Sequence, residues 1–367
     1  MKMSLKKNYI TNEDTIIFEP KFNEILDIEL ISNYSKLIFS NYTLMDEEKI
    51  FKYYLHNVKQ DLDFECNDFN QDVSNLPQGI THLTFSSSFN KDVSNLPYGL
   101  THLTFGLDFK QDISKLPPTL THLIFYLGSY FDKDVSNLPN SLTHLTFGES
   151  FNQDVSNLPH SLTHLTLGYC FYEDASNLPP NLIHLIFGNY FKKDVSNLPP
   201  NLTHLIFGGD FNQDVSNLPY GLTHLTFGWN FNQNISNLPS TLTHLTLGNA
   251  FSLKTNIMSN IKYLKLDCDN EYIINNLPNS IVELELDYHF NLQIDNLPTS
   301  IKKLLIDVNN SHSMDLNCLP NFIEELQLSR IYKKRILNIP SNLKKLICHK
   351  NYPYKDDFVM CDIETYE

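Results

Sequence analysis

Nine histidines, His82, His102, His122, His144, His164, His184, His204, His224 and His244, recur at one position of a block that repeats every 20 residues, with a single step of 22. Imidazoles in a row could ligate metal ions or move protons. A zinc site needs ligands converging tetrahedrally at about 2.0–2.1 Å. Parallel rings on adjacent strands diverge instead, and no acid alternates with them to orient a nitrogen. No metal site is therefore expected from this row. Neighbouring imidazolium ions would repel, so the row predicts lowered histidine pKa values and lost stability below about pH 6.5. A second column, Asp72, Asp92, Asp112, Asp134, Asp154, Asp174, Asp194 and Asp214, ends in Asn234. It would suit calcium, or a carboxylate bonded to backbone N–H groups of a turn. Asparagine can do the second job equally well, which favours the turn. The sequence contains no phosphate loop, HExxH, GxSxG or kinase signature, and its histidines and serines are numerous because a unit was copied. No catalytic residues, no enzyme activity and no cofactor are expected.

The elements that position these columns follow from the block itself, clearest as FNQDVSNLPHSLTHLTLG over 151–168. In the second block the apolar positions are Phe89, Val93, Leu96, Leu100, Leu103 and Phe105. Leu100-Thr-His-Leu103-Thr-Phe105 has the L-x-x-L-x-L form of a leucine-rich repeat, a short strand with alternate residues inside. Leu103 and Phe105 then point inward, His102 and Thr104 outward, and Gly106 ends the strand. Asn-Leu-Pro closes the return path, because proline lacks a donor and forces its predecessor to be extended. No block buries its own apolar face, so neighbours must stack. The fold expected is a helix-poor, right-handed leucine-rich-repeat-like solenoid with one parallel β-sheet, irregular or 3₁₀ return segments and a small helical N-terminal cap.

Beyond Phe251 the pattern weakens but keeps register, through Ile261-Lys-Tyr-Leu264, Ile281-Val-Glu-Leu284, Ile301-Lys-Lys-Leu304, Ile323-Glu-Glu-Leu326 and Leu343-Lys-Lys-Leu346. At the histidine position these units carry Tyr263, Glu283, Lys303, Glu325 and Lys345, alternating in sign from Glu283 onward, which sets opposite charges across each strand pair. Lys265 opposite Glu285 repeats this one position along. The blocks FNQDVSNLPHSLTHLTLG and FNQDVSNLPYGLTHLTFG resemble the FNIP repeat, a leucine-rich-repeat relative found in tandem in amoebal and large-DNA-virus proteins. The resemblance is strong over about 69–250 and weak over 251–348, and the Phe-Asn start becomes Phe-Lys, Phe-Asp or Phe-Tyr in several blocks. The organisation expected is an N-terminal segment 1–61, regular repeats 62–250 with Leu62-Asp-Phe64 as a leading strand, degenerate repeats 251–348 and a tail 349–367.

Charge and variation bear on partners. The chain of 367 residues has 27 basic and 42 acidic side chains, a net −15, which argues against phosphate-mediated nucleic-acid binding. No apolar run approaches the ~18 residues of a membrane helix, and six scattered cysteines without a CxxC pair read as thiols of a cytoplasmic protein. The two residues after each strand glycine vary freely, and among them Tyr169, Tyr190 and Trp229 are candidate anchors beside the histidine row for a protein partner on the concave face. In residues 1–61, Phe22 to Leu30 and Asp46 to Val58 read as helices. They fit a cap on the first repeat. Some FNIP-repeat proteins begin with an F-box that docks to the Skp1 adaptor of cullin ubiquitin ligases, and Pro20 with Glu24-Ile25-Leu26 is faintly similar to its start. The sequence thus leaves two readings, an interaction scaffold for an unidentified protein and a ubiquitin-ligase substrate receptor.

Overall fold

The computed structural model describes residues 9–19, 22–39, 68–294, 296–307 and 314–366. Each 20-residue block makes one turn of a β-solenoid: a short strand, a tight turn, and a return segment without helix. The chain divides into two compact units, residues 1–202 with 206–208, and residues 203–205 with 209–367.

In the first unit, β1 (Tyr9–Asn12) and β2 (Thr15–Phe18) form an antiparallel hairpin. β2 then pairs in parallel with β3 (Lys36–Ile38), and β3 with β4 (His82–Thr84). The parallel series continues through β5 (His102–Phe105), β6 (His122–Phe125), β7 (His144–Thr146), β8 (His164–Thr166) and β9 (His184–Ile186). The structure corrects the N-terminal reading here. The helix expected over 22–30 is one short turn, α1 (Ile28–Ile31), capped by Asp27. The segment supplies strands to the sheet, and the strand beside His82–Thr84 is Lys36–Ile38. The expected helix from Asp46 to Val58 and strand Leu62–Phe64 lie outside the described residues.

After β10 (His204–Ile206), the second unit pairs β11 (His224–Thr226), β12 (His244–Leu247), β13 (Tyr263–Leu266), β14 (Glu283–Leu286), β15 (Lys303–Ile306), β16 (Glu325–Leu328) and β17 (Lys345–His349) in parallel, in chain order. A five-residue helix, α2 (Glu271–Asn275), capped by Asn270, replaces one return segment. The tail adds β18 (Asp362–Tyr366), parallel to β17.

The core explains the fixed letters of the block. Where a strand ends in phenylalanine, as in seven of the nine regular turns, that ring packs on the phenylalanine that opens the next block: Phe85 on Phe89 at 3.7 Å, Phe147 on Phe151 at 3.5 Å, Phe227 on Phe231 at 3.6 Å. Each opening ring also stacks on its counterpart one turn on, Phe89 on Phe109 at 6.1 Å. The adjoining asparagine ties turns together. The Asn70 side-chain oxygen accepts from Asn90 N–H at 3.0 Å, and that of Asn90 accepts from Lys110 N–H at 3.0 Å. Asp132 does the same for Asn152 at 2.9 Å, which is why aspartate can stand for asparagine in this column. Leu-Pro forms the expected turn, with Leu100 N–H donating to Pro97 C=O at 3.0 Å.

Glycine after the strand is a steric requirement. A Cβ on Gly188 would run into the carbonyl oxygen of Gly168, its counterpart one turn back. Gly188→Ala should therefore cost about 1–3 kcal/mol as overpacking, and Phe151→Ala about 3–5 kcal/mol as a cavity. Urea unfolding of the two variants checks both; a neutral Gly188→Ala would show that the turns have slack.

Candidate functional site

The outward face of the strands carries two positions per turn, in register. At the first, the histidine rings stack at 4.1 Å for His82–His102 and His102–His122, and at 4.2 Å for His122–His144 and His144–His164. In the second unit His204, His224 and His244 repeat the arrangement at 4.1 and 4.0 Å. Among the described residues no group of three or more His, Cys, Asp or Glu is placed to hold a metal ion.

A threonine braces each ring from the preceding position. Thr81, Thr101, Thr121, Thr143 and Thr163 each place Oγ1 2.9 Å from the Nδ1 of the next residue. The same hydroxyls lie 3.0–3.3 Å from a carbonyl oxygen of the previous turn. A hydroxyl has one hydrogen to donate. Given to the ring, it would leave two oxygens facing each other lone pair to lone pair. Given to the carbonyl, it lets Nδ1–H donate to Oγ1, and both contacts become hydrogen bonds. The ring tautomer is thus Nδ1–H, with Nε2 left as an acceptor across the ring. Before His184 the residue is Ile183, which has no hydroxyl, and the His164–His184 pair is the one that tilts, to 26° against 10–11° along the row before it.

Burial within the stack is the first cause of lowered pKa at His82, His102, His122 and His244. Charge on neighbouring imidazoles comes second at His102 and His122, and His122 falls to about 4. Lys36 adds to the lowering at His82, while Asp14, which pairs with Lys36 at 3.3 Å, opposes it. The expected direction holds, but its main cause is desolvation.

At the second outward position, threonine gives way to isoleucine in three turns. Ile186 packs with Leu127, and Tyr169 and Ile206 cover them, making an apolar step on the sheet face of the first unit. Tyr190 meets Tyr169 edge-on at 5.1 Å and is exposed. Trp229 falls in the second unit, its indole N–H shielded from solvent and its ring 6.1 Å from His289. Tyr169 and Tyr190 come together, and Trp229 is placed with a different set. The apolar step escaped the sequence reading, although isoleucine for threonine at positions 124, 186 and 206 was its visible sign.

The aspartate column lies on the return segments. Asp112 Oδ1 accepts from Ser114 N–H at 2.9 Å and Oδ2 from its hydroxyl at 2.7 Å, a pattern repeated from Asp72 to Asp214; Asn234 keeps the backbone bond. The serine hydroxyl is the first cause of the lowered pKa at Asp72, Asp92, Asp112, Asp134, Asp174 and Asp214.

In the second unit, charge replaces imidazole in the register expected. Lys303 reaches Glu283 at 3.1 Å and Glu325 at 3.7 Å, and Lys345 reaches Glu364 at 2.7 Å. Lys265 is buried between Glu285 and Asp287, 2.7 Å from each. Burial opposes its charge, yet the two carboxylates overcome that and raise its pKa. Tyr263 donates to Glu285 at 2.5 Å. Beside this network, His289 Nδ1 lies 3.0 Å from Asp267, whose pKa is raised by burial.

Short parallel strands, one per turn, with a helix-poor return, define a leucine-rich-repeat-like solenoid. The FNIP Repeat profile matches residues 92–128, 131–170, 174–210, 211–250 and 269–307, just over half of the chain, so the protein belongs to the FNIP-repeat family. Among solved structures, the circular leucine-rich-repeat protein CroV588 is 30% identical, with a TM-score of 0.57 over 97% of this chain and 70% of its own. The functional domain of InlJ from Listeria monocytogenes is 18% identical, with a TM-score of 0.52 over 89% and 70%, a likeness of fold alone. No curated protein sequence matches the chain.

Three measurements follow. Histidine 15N shifts should show the Nδ1–H tautomer at His102 and His122, and Thr121→Val should shift His122 toward Nε2–H; Nε2–H throughout would refute the bracing. Lowered histidine pKa values place full stability above about pH 6.5 and its loss as pH falls toward 4, so the urea midpoint should drop across that window. A flat midpoint from pH 7 to 5 would contradict it. Finally, Lys265→Met strands buried carboxylates and should cost about 3–5 kcal/mol, whereas Lys303→Gln, in a half-exposed pair, should cost under about 1 kcal/mol.

Proposed function

We propose that the protein is a non-enzymatic interaction scaffold that receives a partner protein on the outward face of its strands. The observation that carries this is the register itself. Turn after turn sets histidine beside histidine at the first position, His102 beside His122, and threonine or isoleucine at the second, Thr104 beside Ile124, with an apolar step at Tyr169 and Ile206 on the first unit's face. Solenoid folds commonly use such extended faces for binding. The contact residues this reading assigns are His82, His102, His122, His144, His164, His184, Tyr169 and Tyr190 in the first unit and, taken separately, His204, His224, His244 and Trp229 in the second. The reading of residues 1–61 as a Skp1 adaptor site gains no support from the described residues, because β1, β2 and β3 are part of the sheet. A chain starting at residue 61 would lose those strands, so the test needs the full chain.

A photo-crosslinking amino acid placed at Tyr169, on the sheet face, and at Tyr98, exposed on a return segment, separates the readings in lysate. Discrete protein adducts from position 169 and none from 98 are expected. Equal labelling at both positions would sink the scaffold reading, and adducts with Skp1 and cullin would replace it with the receptor.

A further inference from the structure

Three features of the first unit's sheet face agree on one kind of occupant. The outward positions of β4 to β9 carry His82, His102, His122, His144, His164 and His184 with threonine or isoleucine, and no lysine or arginine. The braced tautomer of His82, His102 and His122 offers Nε2 lone pairs, so these rings accept hydrogen bonds. The loops that leave these strands carry Asp108 and Glu149, and the charges of Glu149 and Asp132 are felt at Cys170 beside Tyr169. The cation at the edge of the row, Lys36, is paired with Asp14. An anionic segment would meet acceptors and carboxylates there; a cationic one would meet complementary groups. Next to the row, Tyr169 and Ile206, half-buried over Leu127 and Ile186, form an apolar seat.

We propose that this face binds a partner segment that carries arginine or lysine next to a large apolar side chain. Its N–H donors lie on the imidazole acceptors of His102 and His122, and its apolar residue lies on Tyr169 and Ile206. This rests on the scaffold reading and gives it a partner chemistry. A consequence is release on acidification. Protonating a ring turns Nε2 from acceptor to donor and adds a positive charge facing a positive ligand. The groups whose charge acts on these rings are the neighbouring imidazoles and, at the edge of the row, Lys36 with Asp14, while Asp108 and Glu149 lie on the loops that leave the strands. Asp92 and Asp112 on the return segments respond otherwise, since the serine hydroxyl and N–H bonded to each keep it ionised to lower pH.

Fluorescence anisotropy with the full chain near neutral pH tests this, using a labelled arginine–leucine peptide and its glutamate–leucine counterpart as probes. The basic peptide should bind and the acidic one should not. His102→Phe with His122→Phe keeps flat stacked rings but removes the acceptors, and should weaken binding about 10-fold or more, some 1.4 kcal/mol. Tyr169→Ser should weaken it too, and Asp92→Asn with Asp112→Asn should leave it unchanged. Thermal unfolding of each variant confirms that the fold is intact. Equal binding of both peptides, or an aspartate variant as damaging as the histidine one, would overturn the proposal. No binding of the basic peptide while Tyr169 still crosslinks a protein would overturn the partner chemistry and leave the scaffold standing.

Discussion

In the fixed columns of the regular repeats, a side chain lies beside a copy of itself. Parallel strands in register set residue n against residue n+20, so each column must tolerate like against like at the spacing of neighbouring strands. Few residue types do. Phenylalanine stacks on phenylalanine in the core; asparagine, with a donor and an acceptor, bonds its copy's backbone; glycine lets two turns touch where a Cβ would collide. Neutral histidine stacks as an aromatic ring and still carries polar nitrogens. Lysine or glutamate in the same column would meet its own charge at close range, and the nine regular turns hold neither at the histidine position.

The same rule explains how the degenerate turns differ. Once copies diverge, the column is released from self-complementarity, and Glu283, Lys303, Glu325 and Lys345 alternate in sign. Divergence also permits Lys265 to be buried between two carboxylates, an arrangement that needs unlike neighbours on either side. The aspartate column sets like charge against like charge but sits in solvent, each carboxylate held by its own serine, where water and hydrogen bonds blunt the repulsion.

Self-similarity also decides what the sequence reveals. Strand register, the inward and outward columns, the Leu-Pro turn and the alternating charges are repeated signals, and the structure has all of them. Residues that occur once carry no such signal. The strands Thr15–Phe18, Lys36–Ile38 and Asp362–Tyr366 lack the L-x-x-L-x-L frame, so they read as cap or tail although they extend the sheet. Phe22 to Leu30 has apolar residues at helical spacing, yet Phe22 and Leu26 are buried with only one helical turn formed, because tertiary packing on the first repeat outweighs local propensity. The apolar step was legible only as isolated isoleucines, since its partners, Leu127 and Tyr169, come from loops whose approach no periodicity predicts.

A column that must stay neutral to stack gains a property that its members lack singly. An isolated histidine titrates near pH 6.5, half charged close to neutrality. Burial holds His82, His102 and His122 neutral below that, with neighbouring rings adding at His102 and His122, the last to about 4. The threonine brace fixes which nitrogen holds the hydrogen, so the braced rings become acceptors of one kind at neutral pH. At the turn carrying Ile183, which has no hydroxyl, the ring pair is tilted by 26°. Stacking therefore supplies neutrality and the brace supplies direction. Together they convert copied surface residues into a face with a defined hydrogen-bonding sense, a property that a row of unbraced, solvated histidines would not have.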